Sequence, residues 1–440
     1  MTVDSQEQAV AQAVPRVEET SIRQAIVGAS VGNMVEWFDF AVYGYLAVTL
    51  GAVFFPSEDP TISLLASFAV FGVAFVMRPL GGLFFGPLGD RIGRQRTLAT
   101  VIILMSVSTF AIAFLPGYAT IGIWAPILLV LARLLQGFSA GGEFGGASAF
   151  IAEYSPDNRR GFLVSWLEFS TLIGFILGST SVLLLSSVLS EDALTSWGWR
   201  IPFLIAGPLG LIGLYIRLRL DDTPEFRALE SAGEISQSPF METVTQNWRP
   251  ILQVAGLVII QNAGFYIVLT YMQTYITEQL GFSTTSASLS TVLTLLVGMA
   301  LIPPLGALSD RVGRKPVLMA SCVGFVVLTY PLFLLLNAGN LAGAITAHVA
   351  LGALLAVYLS TTIAALTELF PTRVRYGGFS IGYNVSVAIF GGAAPFLATY
   401  LISVTGNPLS PAFYLIAAAI ATALTLLTIK ETARTPLRKT

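Results

Sequence analysis

The sequence predicts an all-α integral membrane protein, with twelve transmembrane helices in two pseudo-symmetric six-helix bundles and both termini in the cytoplasm. Three observations lead to this prediction: an apolar composition, an internal repeat and the placement of the basic residues. Only 11% of the residues are charged and 55% are hydrophobic, whereas a soluble domain has about 25% charged residues. The mean hydropathy of +0.77 therefore indicates a chain that is surrounded mostly by lipid.

Twelve apolar stretches are long enough to cross a membrane, since a helix needs about 20 apolar residues to span the hydrocarbon core. They cover residues 23–50, 61–88, 98–116, 123–152, 161–189 and 200–220 in the first half, and 250–278, 286–309, 316–337, 341–369, 376–403 and 410–430 in the second. The first 21 residues lack the basic segment and the cleavage site of a signal peptide. We therefore expect the first span to remain in the mature protein.

An internal repeat divides the chain into two halves. The segment GPLGDRIGRQR at Gly86–Arg96 returns as GALSDRVGRKP at Gly306–Pro316, in both cases between the second and third spans of a half. Shorter matched motifs follow spans four and ten, and spans six and twelve. Repeats of this kind are typical of transporters whose substrate site lies between two bundles near the membrane midplane.

The basic residues predict the orientation of the spans. Lys and Arg occur mainly in the two tails and in alternate loops, which by the positive-inside rule places both termini and the central loop in the cytoplasm. The predicted organisation is a cytoplasmic tail at 1–21, an N-terminal bundle at 22–220, a cytoplasmic linker at 221–249, a C-terminal bundle at 250–430 and a cytoplasmic tail at 431–440.

The repeated segment has the composition of a conformational latch. An aspartate can accept hydrogen bonds from a helix N-terminus or from a neighbouring arginine, and glycine permits a tight turn. The predicted latch residues are Asp90, Arg91, Gly93, Arg94, Asp310, Arg311, Gly313 and Arg314. The alternative is a solvated basic loop that only sets the topology, and the presence of two matched copies favours the latch.

Charged residues well inside the spans all belong to the first half. They are Glu36, Asp39, Arg78, Arg133, Glu143 and Glu168. Each costs at least about 2.5 kcal/mol at the bilayer centre, so we expect proton coupling in the N-terminal bundle and neutral contacts from the C-terminal bundle. We interpret Arg78, near the inner end of its span, as structural, with substrate binding as the alternative, and Glu168 as a solvated helix end, with a gate as the alternative. We expect the sole histidine, His348, to be a hydrogen-bonded core residue rather than a proton relay.

Three of these charges are the predicted proton-coupling residues. Glu36 and Asp39 share a helical face with Tyr43, and two carboxylates close together in a low dielectric cannot both ionise cheaply. Arg133 is expected level with Asp39, and an Asp39–Arg133 ion pair would leave Glu36 as the proton site. The two acidic roles could also be exchanged, and a static charge network between spans one and four is the alternative.

Several motifs resemble a known family. The pattern G-x-x-x-D-R-x-G-R-[RK] resembles the signature of the major facilitator superfamily, and the runs Gly32–Gly44, Arg78–Gly82 and Arg133–Glu143 resemble its metabolite:proton symporters. Three segments are most similar to the proline/glycine-betaine (osmoprotectant) transporters of that family: Phe138–Arg160, Trp197–Pro202 and Lys430–Leu437. The resemblance implies symport by alternating access in a bacterial inner membrane. Osmosensing members often have a long C-terminal coiled coil, and because this sequence stops at Thr440 we do not expect osmotic activation through such a coil.

The charge count also favours a zwitterionic substrate. A di- or tricarboxylate needs two or more free cations, whereas a zwitterion such as proline or betaine needs one positive subsite and one negative or aromatic subsite. The alternative is an organic acid, such as 2-oxoglutarate, shikimate or citrate, carried with protons. The substrate-binding candidates are Trp37, Tyr43, Gln136, Glu143, Trp166, Asn262, Tyr266 and Tyr271. Glycines flank Glu143, so its carboxylate could serve helix packing as readily as substrate binding.

Other functional classes are disfavoured by the sequence. The chain has one cysteine, one histidine and a net charge of −2, so we expect no metal site, no cofactor, no enzymatic activity and no nucleic-acid partner. It has no nucleotide-binding glycine-rich loop that would power an ATP-driven pump. A channel would not require a two-bundle repeat. The expected partners are the bilayer, the proton and the small solute, and we expect a monomer.

Overall fold

The computed structural model describes residues 19–92, 94–218, 244–370 and 372–437. All regular structure within these ranges is helical. Gly93, the tail at 1–18 and the linker at 219–243 lie outside the described residues, as do the side chains of Asp90, Arg91 and Arg94. The N-terminal copy of the predicted latch is therefore not part of the structural description.

The first half contains ten α-helices in the described ranges. They are α1 (Glu19–Tyr45), α2 (Ala47–Phe54), α3 (Pro60–Ile92), α4 (Arg94–Ile112), α5 (Tyr118–Ile121), α6 (Trp124–Ala140), α7 (Phe144–Tyr154), α8 (Arg160–Val188), α9 (Glu191–Ala193) and α10 (Arg200–Leu218), with a π-helical turn at Leu194–Gly198 between the last two. The predicted fourth span is thus two helices, α6 and α7, separated at the glycine-rich stretch 141–143.

The second half is interrupted by three π-helical segments. Its α-helices are α11 (Trp248–Gly264), α12 (Met272–Thr274), α13 (Thr284–Val312), α14 (Arg314–Leu336), α15 (Leu341–Glu368), α16 (Thr372–Ser386), α17 (Ala394–Thr405) and α18 (Ser410–Thr428). The π segments are Phe265–Tyr271, Tyr275–Gln279 and Val387–Gly391. Such segments occur mostly at functional positions of helices, and the first of them lies at the contact between the halves.

Nine helices of the described ranges are long and apolar enough to cross a membrane, and eleven spans result if each of two bent pairs is one span. The bent pairs are α1 with α2, at 64°, and Glu191–Gly198 with the helix that begins at Arg200, at 43°. The predicted span at 98–116 corresponds to a shorter apolar helix, Thr97–Ile112. Large apolar side chains such as Val76, Leu211 and Val327 are more than half exposed, as expected for surfaces that face lipid.

Local sequence sets several helix ends in the second half. Ser283 accepts the N–H of Ser286 at the start of α13 (3.2 Å), and Asn340 accepts that of Gly343 at the start of α15 (2.7 Å). Both are favoured residues at the N-cap position. Gly406 ends α17 in the left-handed conformation, with φ of +64°, which glycine adopts without a steric cost.

Helices α8 and α3 of the first half contact the second half. Helix α8 packs along α1 on one side and along α13 on the other, and α3 packs against α16 and α17. Helices α3 and α6 approach so closely at Gly137 that a Cβ atom there would overlap the carbonyl oxygen of Ala74. This close approach buries Arg78 of α3 and Arg133 of α6 beside α1, with none of their surface exposed.

Candidate functional site

All six charged residues inside the predicted spans are buried, and together we call them the charged cluster. Glu36 and Asp39 lie on α1, Arg78 on α3, Arg133 on α6, Glu143 before α7 and Glu168 on α8, and none is more than 2% exposed. The cluster therefore holds four carboxyl groups and two guanidinium groups. If all of them were ionised, its net charge would be two negative units.

Arg78 forms an ion pair with Glu36, a contact that the sequence did not predict. Arg78 Nη2 lies 3.0 Å from Glu36 Oε1, and both side chains are completely buried. Arg78 Nε also donates to Asn384 Oδ1 of α16 at 3.3 Å. Its guanidinium thus connects α1 and α3 of the first half to α16 of the second.

The expected Asp39–Arg133 ion pair is absent from the described contacts. Asp39 Oδ2 instead accepts the hydroxyl of Thr109 at 2.8 Å, and Arg133 Nη1 donates to Gln136 Oε1 at 2.8 Å. Gln136 Nε2 donates to Thr109 Oγ1 and so completes a series of hydrogen bonds from Arg133 to Asp39. Two neutral side chains therefore stand between the charges, because Gln136 is one helical turn from Arg133 on the same helix face.

Arg133 is also held by Tyr43 and by a backbone carbonyl. Its guanidinium carbon lies 4.3 Å from the centroid of the Tyr43 ring, and Nη2 donates to the carbonyl oxygen of Phe71 at 3.4 Å. The Tyr43 hydroxyl donates to the carbonyl oxygen of Ser67 at 3.2 Å. Tyr43 and Gln136, both substrate-binding candidates, thus serve as neighbours of Arg133 in this arrangement.

Glu168 is not the solvated helix end that was expected. It is 2% exposed, and Gln261 Nε2 of α11 donates to its Oε1 at 3.2 Å. The span boundaries place Glu168 towards a helix end, but α8 lies against the second half, which covers this face. A buried carboxyl group on the first bundle therefore contacts a neutral amide on the second.

Aromatic rings from both halves meet beside the Glu36–Arg78 pair. The Trp37 ring centroid lies 5.1 Å from that of Phe265 and 6.5 Å from that of Tyr266, and Phe75 lies 5.0 Å from Tyr266. Two substrate-binding candidates, Trp37 and Tyr266, are therefore brought together across the interface between the halves.

Other substrate-binding candidates lie in different surroundings. Trp166 packs on Phe169, with ring centroids 4.8 Å apart, and Tyr271 lies 5.9 Å from Phe68. Asn262 donates to the Ser386 hydroxyl at 3.4 Å.

Sequence reasoning did not select Arg78, Asn384 or Phe75 as site residues. The available signal for Arg78 was the cost of placing an arginine this deep in a span. His348 matches its expectation as a core residue, because Nδ1 contacts the Ser290 hydroxyl and Nε2 the Val268 carbonyl oxygen, both at 2.8 Å.

The second copy of the predicted latch connects the halves at one end of the bundle. Asp310 accepts the backbone N–H groups of Gly161 and Phe162 at 2.8 and 2.9 Å, which are free donors at the N-terminus of α8. This contact has the geometry expected from the sequence. Gly313 has φ of +110°, which favours glycine at this turn, and Arg311 is exposed.

Ion pairs extend this contact around Glu368 at the end of α15. Arg314 Nη2 and Arg160 Nη1 approach Glu368 Oε1 to 3.1 and 3.0 Å, and Arg314 also pairs with Asp310 at 2.8 Å. Because Arg160 belongs to the first half, Glu368 bridges the two bundles. A second bridge joins Arg375 to Glu153 at 3.0 Å.

The segment after α18 contacts the same network. The Glu431 carboxylate accepts the backbone N–H groups of Arg314 and Lys315 at 2.8 and 3.0 Å, and the Thr432 hydroxyl donates to Glu368 at 2.6 Å. Partial burial by itself would raise the pKa of Glu431, but the backbone N–H donors around the carboxylate lower this pKa below its ordinary value. Glu431 therefore binds the N-terminus of α14 as an anion.

The opposite end of the interface is also in contact. The Tyr45 hydroxyl donates to the Leu269 carbonyl oxygen across the two halves at 2.7 Å, and a Cβ atom at Gly44 would overlap the Thr270 methyl group. The charged cluster is thus shielded from water on both sides. A solute can reach the charged cluster only if the halves separate at one end.

The chain matches the family described as sugar (and other) transporter over residues 25–234 and again over 227–440. It is 44% identical over 436 residues to the proline/betaine transporters of Salmonella typhimurium and Escherichia coli K12, covering 96% of this chain and 86% of each relative. It is also 44% identical over 435 residues, with the same coverage, to the glycine betaine/proline/ectoine/pipecolic acid transporter OusA of Dickeya dadantii.

Solved structures of a xylose transporter have the same fold. The proton:xylose symporter XylE bound to 6-bromo-6-deoxy-D-glucose superimposes with a TM-score of 0.80 at 18% identity, over 95% of this chain and 98% of that chain. The inward open conformation of XylE from E. coli gives a TM-score of 0.75 at 18% identity, over 93% and 97%. At this level of identity the likeness concerns the fold.

Proposed function

This chain belongs to the sugar (and other) transporter family, and we propose that it moves a small zwitterionic solute such as proline or glycine betaine inward together with protons. It is a multi-pass membrane transporter of the major facilitator superfamily and not an enzyme. We further propose twelve spans in two bundles, at 22–220 and 250–430, with cytoplasmic termini, in a bacterial inner membrane. The tails and the linker at 221–249 complete the proposed organisation.

The environment of Asp39 supports proton coupling. An isolated carboxylate in a dry interior costs several kcal/mol, and Asp39 is 2% exposed, with no hydrogen-bond partner for Oδ1 among the described residues. Protonation of Asp39 removes this cost. Because Glu36 is paired with Arg78, while Asp39 has only the Thr109 hydroxyl as a partner for Oδ2, we assign the transported proton to Asp39. Glu36 and Asp39 thereby exchange the roles that the sequence favoured.

Arg133 completes the proposed coupling site. Its link to Asp39 through Gln136 and Thr109 allows the cation to approach the carboxylate when a proton leaves. A rearrangement of these two neutral side chains would convert the indirect contact into an ion pair. This step would connect the release of the proton to movement of α6 against α1.

The relatives support the choice of an osmoprotectant substrate. Three proteins at 44% identity are named as transporters of proline or betaine, and both buried guanidinium groups of the cluster already have partners. An organic acid with two or more carboxylates would need cationic side chains that are not already paired. A zwitterion carries equal positive and negative charge, so it does not need extra cations.

The contacts around Asp310 and Glu368 support alternating access. These ion pairs and helix-end hydrogen bonds join the halves at the proposed cytoplasmic end, so they would stabilise a state that is closed to the cytoplasm and break when it opens. In this proposal Asp310, Gly313 and Arg314 act as a latch. By the sequence repeat, Asp90, Arg91, Gly93 and Arg94 are proposed to act in the same way, with Arg311 as a peripheral member.

Uptake into proteoliposomes tests this function. The purified chain is reconstituted, an acidic exterior is imposed, and accumulation of labelled proline, glycine betaine, 2-oxoglutarate, shikimate and citrate is measured with and without a protonophore. We expect accumulation of the zwitterions above the external concentration, abolished by the protonophore. Accumulation of the acids alone would refute the zwitterion assignment, and simple equilibration without accumulation would refute proton coupling.

A further inference from the structure

Arg78 lies in a cage of aromatic rings. Its guanidinium carbon is 5.7 Å from the ring centroid of Trp37, 5.6 Å from that of Phe40 and 5.8 Å from that of Phe75, and Glu36 Oε1 is 3.0 Å from Nη2. Three aromatic rings and a carboxylate are the surroundings in which proteins recognise quaternary ammonium groups. The chain thus holds its own cation where such a ligand group would be bound.

Two polar groups at this cage have no hydrogen-bond partner among the described residues. One is Nη1 of Arg78 and the other is the hydroxyl of Tyr266, both completely or almost completely buried. The Tyr266 ring shares Trp37 and Phe75 as neighbours with Arg78. Buried donors are rarely left without acceptors in folded proteins, so this pair of donors points to a carboxylate ligand.

We propose that the Glu36–Arg78 ion pair and its aromatic cage are the binding site of the zwitterion. The ammonium group of the solute takes the place of the Arg78 guanidinium between Glu36 and the rings of Trp37, Phe40 and Phe75. The displaced guanidinium and the Tyr266 hydroxyl bind the carboxylate of the solute. This assignment rests on the proposed function and names the residues that distinguish the substrate class.

Charge balance explains why such a site would select zwitterions. A solute with one positive and one negative charge leaves both Glu36 and Arg78 paired. A bare cation would leave Arg78 unpaired, and a bare anion would leave Glu36 unpaired. Each unpaired buried charge costs several kcal/mol, so either half of the substrate alone binds poorly.

The position of Arg78 also connects binding to movement of the bundles. Arg78 Nε donates to Asn384 Oδ1, and Asn384 Nδ2 donates to the carbonyl oxygen of Gly141 at 3.2 Å. These bonds tie α16 of the second half to α3 and to the break between α6 and α7. Displacement of Arg78 breaks the first bond, so substrate binding loosens a contact between the halves.

Equilibrium binding to the full chain in lipid nanodiscs tests the site with three probes. Glycine betaine carries both charges, choline lacks the carboxylate, and 3,3-dimethylbutanoate replaces the ammonium nitrogen by carbon. Arg78→Gln should weaken glycine betaine binding about 30-fold or more and strengthen choline binding. Glu36→Gln should also weaken glycine betaine binding but strengthen that of 3,3-dimethylbutanoate. Wild-type ligand preference in both variants, or losses without these opposite gains, would overturn the assignment.

A neutral pair of variants keeps the test decisive if the charge variants do not fold. Phe75→Leu removes one aromatic ring of the cage. It should weaken glycine betaine binding about 2- to 30-fold, which is the change in affinity that corresponds to the free energy of one cation–π contact. The matched control is Phe54→Leu, because Phe54 is equally buried but packs on Trp199 at 5.4 Å. Equal affinities of the two variants would refute the cage. Failure of the wild-type chain to bind proline or glycine betaine would instead refute the proposed function.

Discussion

Replacement of Asp39 by asparagine should abolish gradient-driven accumulation while leaving substrate exchange intact. The Asp39 carboxyl group is 2% exposed, its Oδ2 accepts one hydroxyl at 2.8 Å, and Oδ1 has no hydrogen-bond partner among the described residues. Asparagine has the shape of the protonated acid and can still accept the Thr109 hydroxyl. The variant should therefore keep the closed arrangement but carry no proton.

The size of the effect follows from the gradient. A difference of two pH units is worth about 2.7 kcal/mol per proton, since one unit corresponds to about 1.36 kcal/mol. With the membrane potential clamped at zero, one proton per solute drives about 100-fold accumulation in the wild type. The Asp39→Asn variant should reach an internal concentration about equal to the external one, because no proton is coupled to its transport.

The assay compares two measurements on the same proteoliposomes. Accumulation of labelled glycine betaine under the pH gradient reports coupling, and counterflow against internal unlabelled glycine betaine, without a gradient, reports exchange. Asp59→Asn is the matched control, because Asp59 is an exposed acid at the start of α3 and should behave as the wild type. Wild-type accumulation with wild-type pH dependence in Asp39→Asn would refute the role of Asp39 as proton carrier.

Three further predictions concern the latch, the C-terminal segment and the packing of α3 on α6. Glu368→Gln removes the carboxylate that Arg160 and Arg314 share, while each arginine keeps a second acidic partner, and should destabilise the closed state by about 1.5–3 kcal/mol; faster labelling of cysteines introduced on the cytoplasmic side checks this, and unchanged labelling would contradict it. Because hydrogen bonds lower the pKa of Glu431, its contribution to stability is complete above the ordinary glutamate pKa and is lost as the pH falls through the lowered value. Glu431→Gln should therefore melt at a lower temperature than the wild type at neutral pH, and the difference should disappear at acidic pH; a difference in melting temperature that does not change with pH would contradict this. Gly137→Ala should destabilise the protein by about 1–3 kcal/mol, since its Cβ overlaps the Ala74 carbonyl, whereas Gly213→Ala, with nearest neighbours at 3.7 Å or more, should melt at the wild-type temperature or above it, because alanine is favoured over glycine within a helix.

The fold was largely accessible from sequence, because each helix depends on a local property. Every predicted apolar stretch overlaps a helix of the structure, including the short Thr97–Ile112. The prediction did not anticipate the 64° bend between α1 and α2 or the π segments. The apolar pattern of a single span carries no signal for either irregularity.

The site was accessible only in part. The sequence identified the buried charges, since a charge in an apolar span stands out, but it paired them wrongly. Asp39 and Arg133 are separated by Gln136 and Thr109, and Thr109 comes from α4, which has no charged residue within its apolar part. Likewise, the Gln261 amide that contacts Glu168 lies 93 positions further along the chain.

The amino-acid sequence by itself determined that this chain is a helical membrane transporter with a duplicated charged segment, because long apolar runs and repeats are properties of the chain read in order. Only the tertiary structure decided which charge meets which. Pairing depends on how closely α3, α6 and α8 approach α1 and the second half. Glycine contacts and helix faces set those distances, so Arg78 pairs with Glu36 of α1, while Arg133 reaches Asp39 only through Gln136 and Thr109.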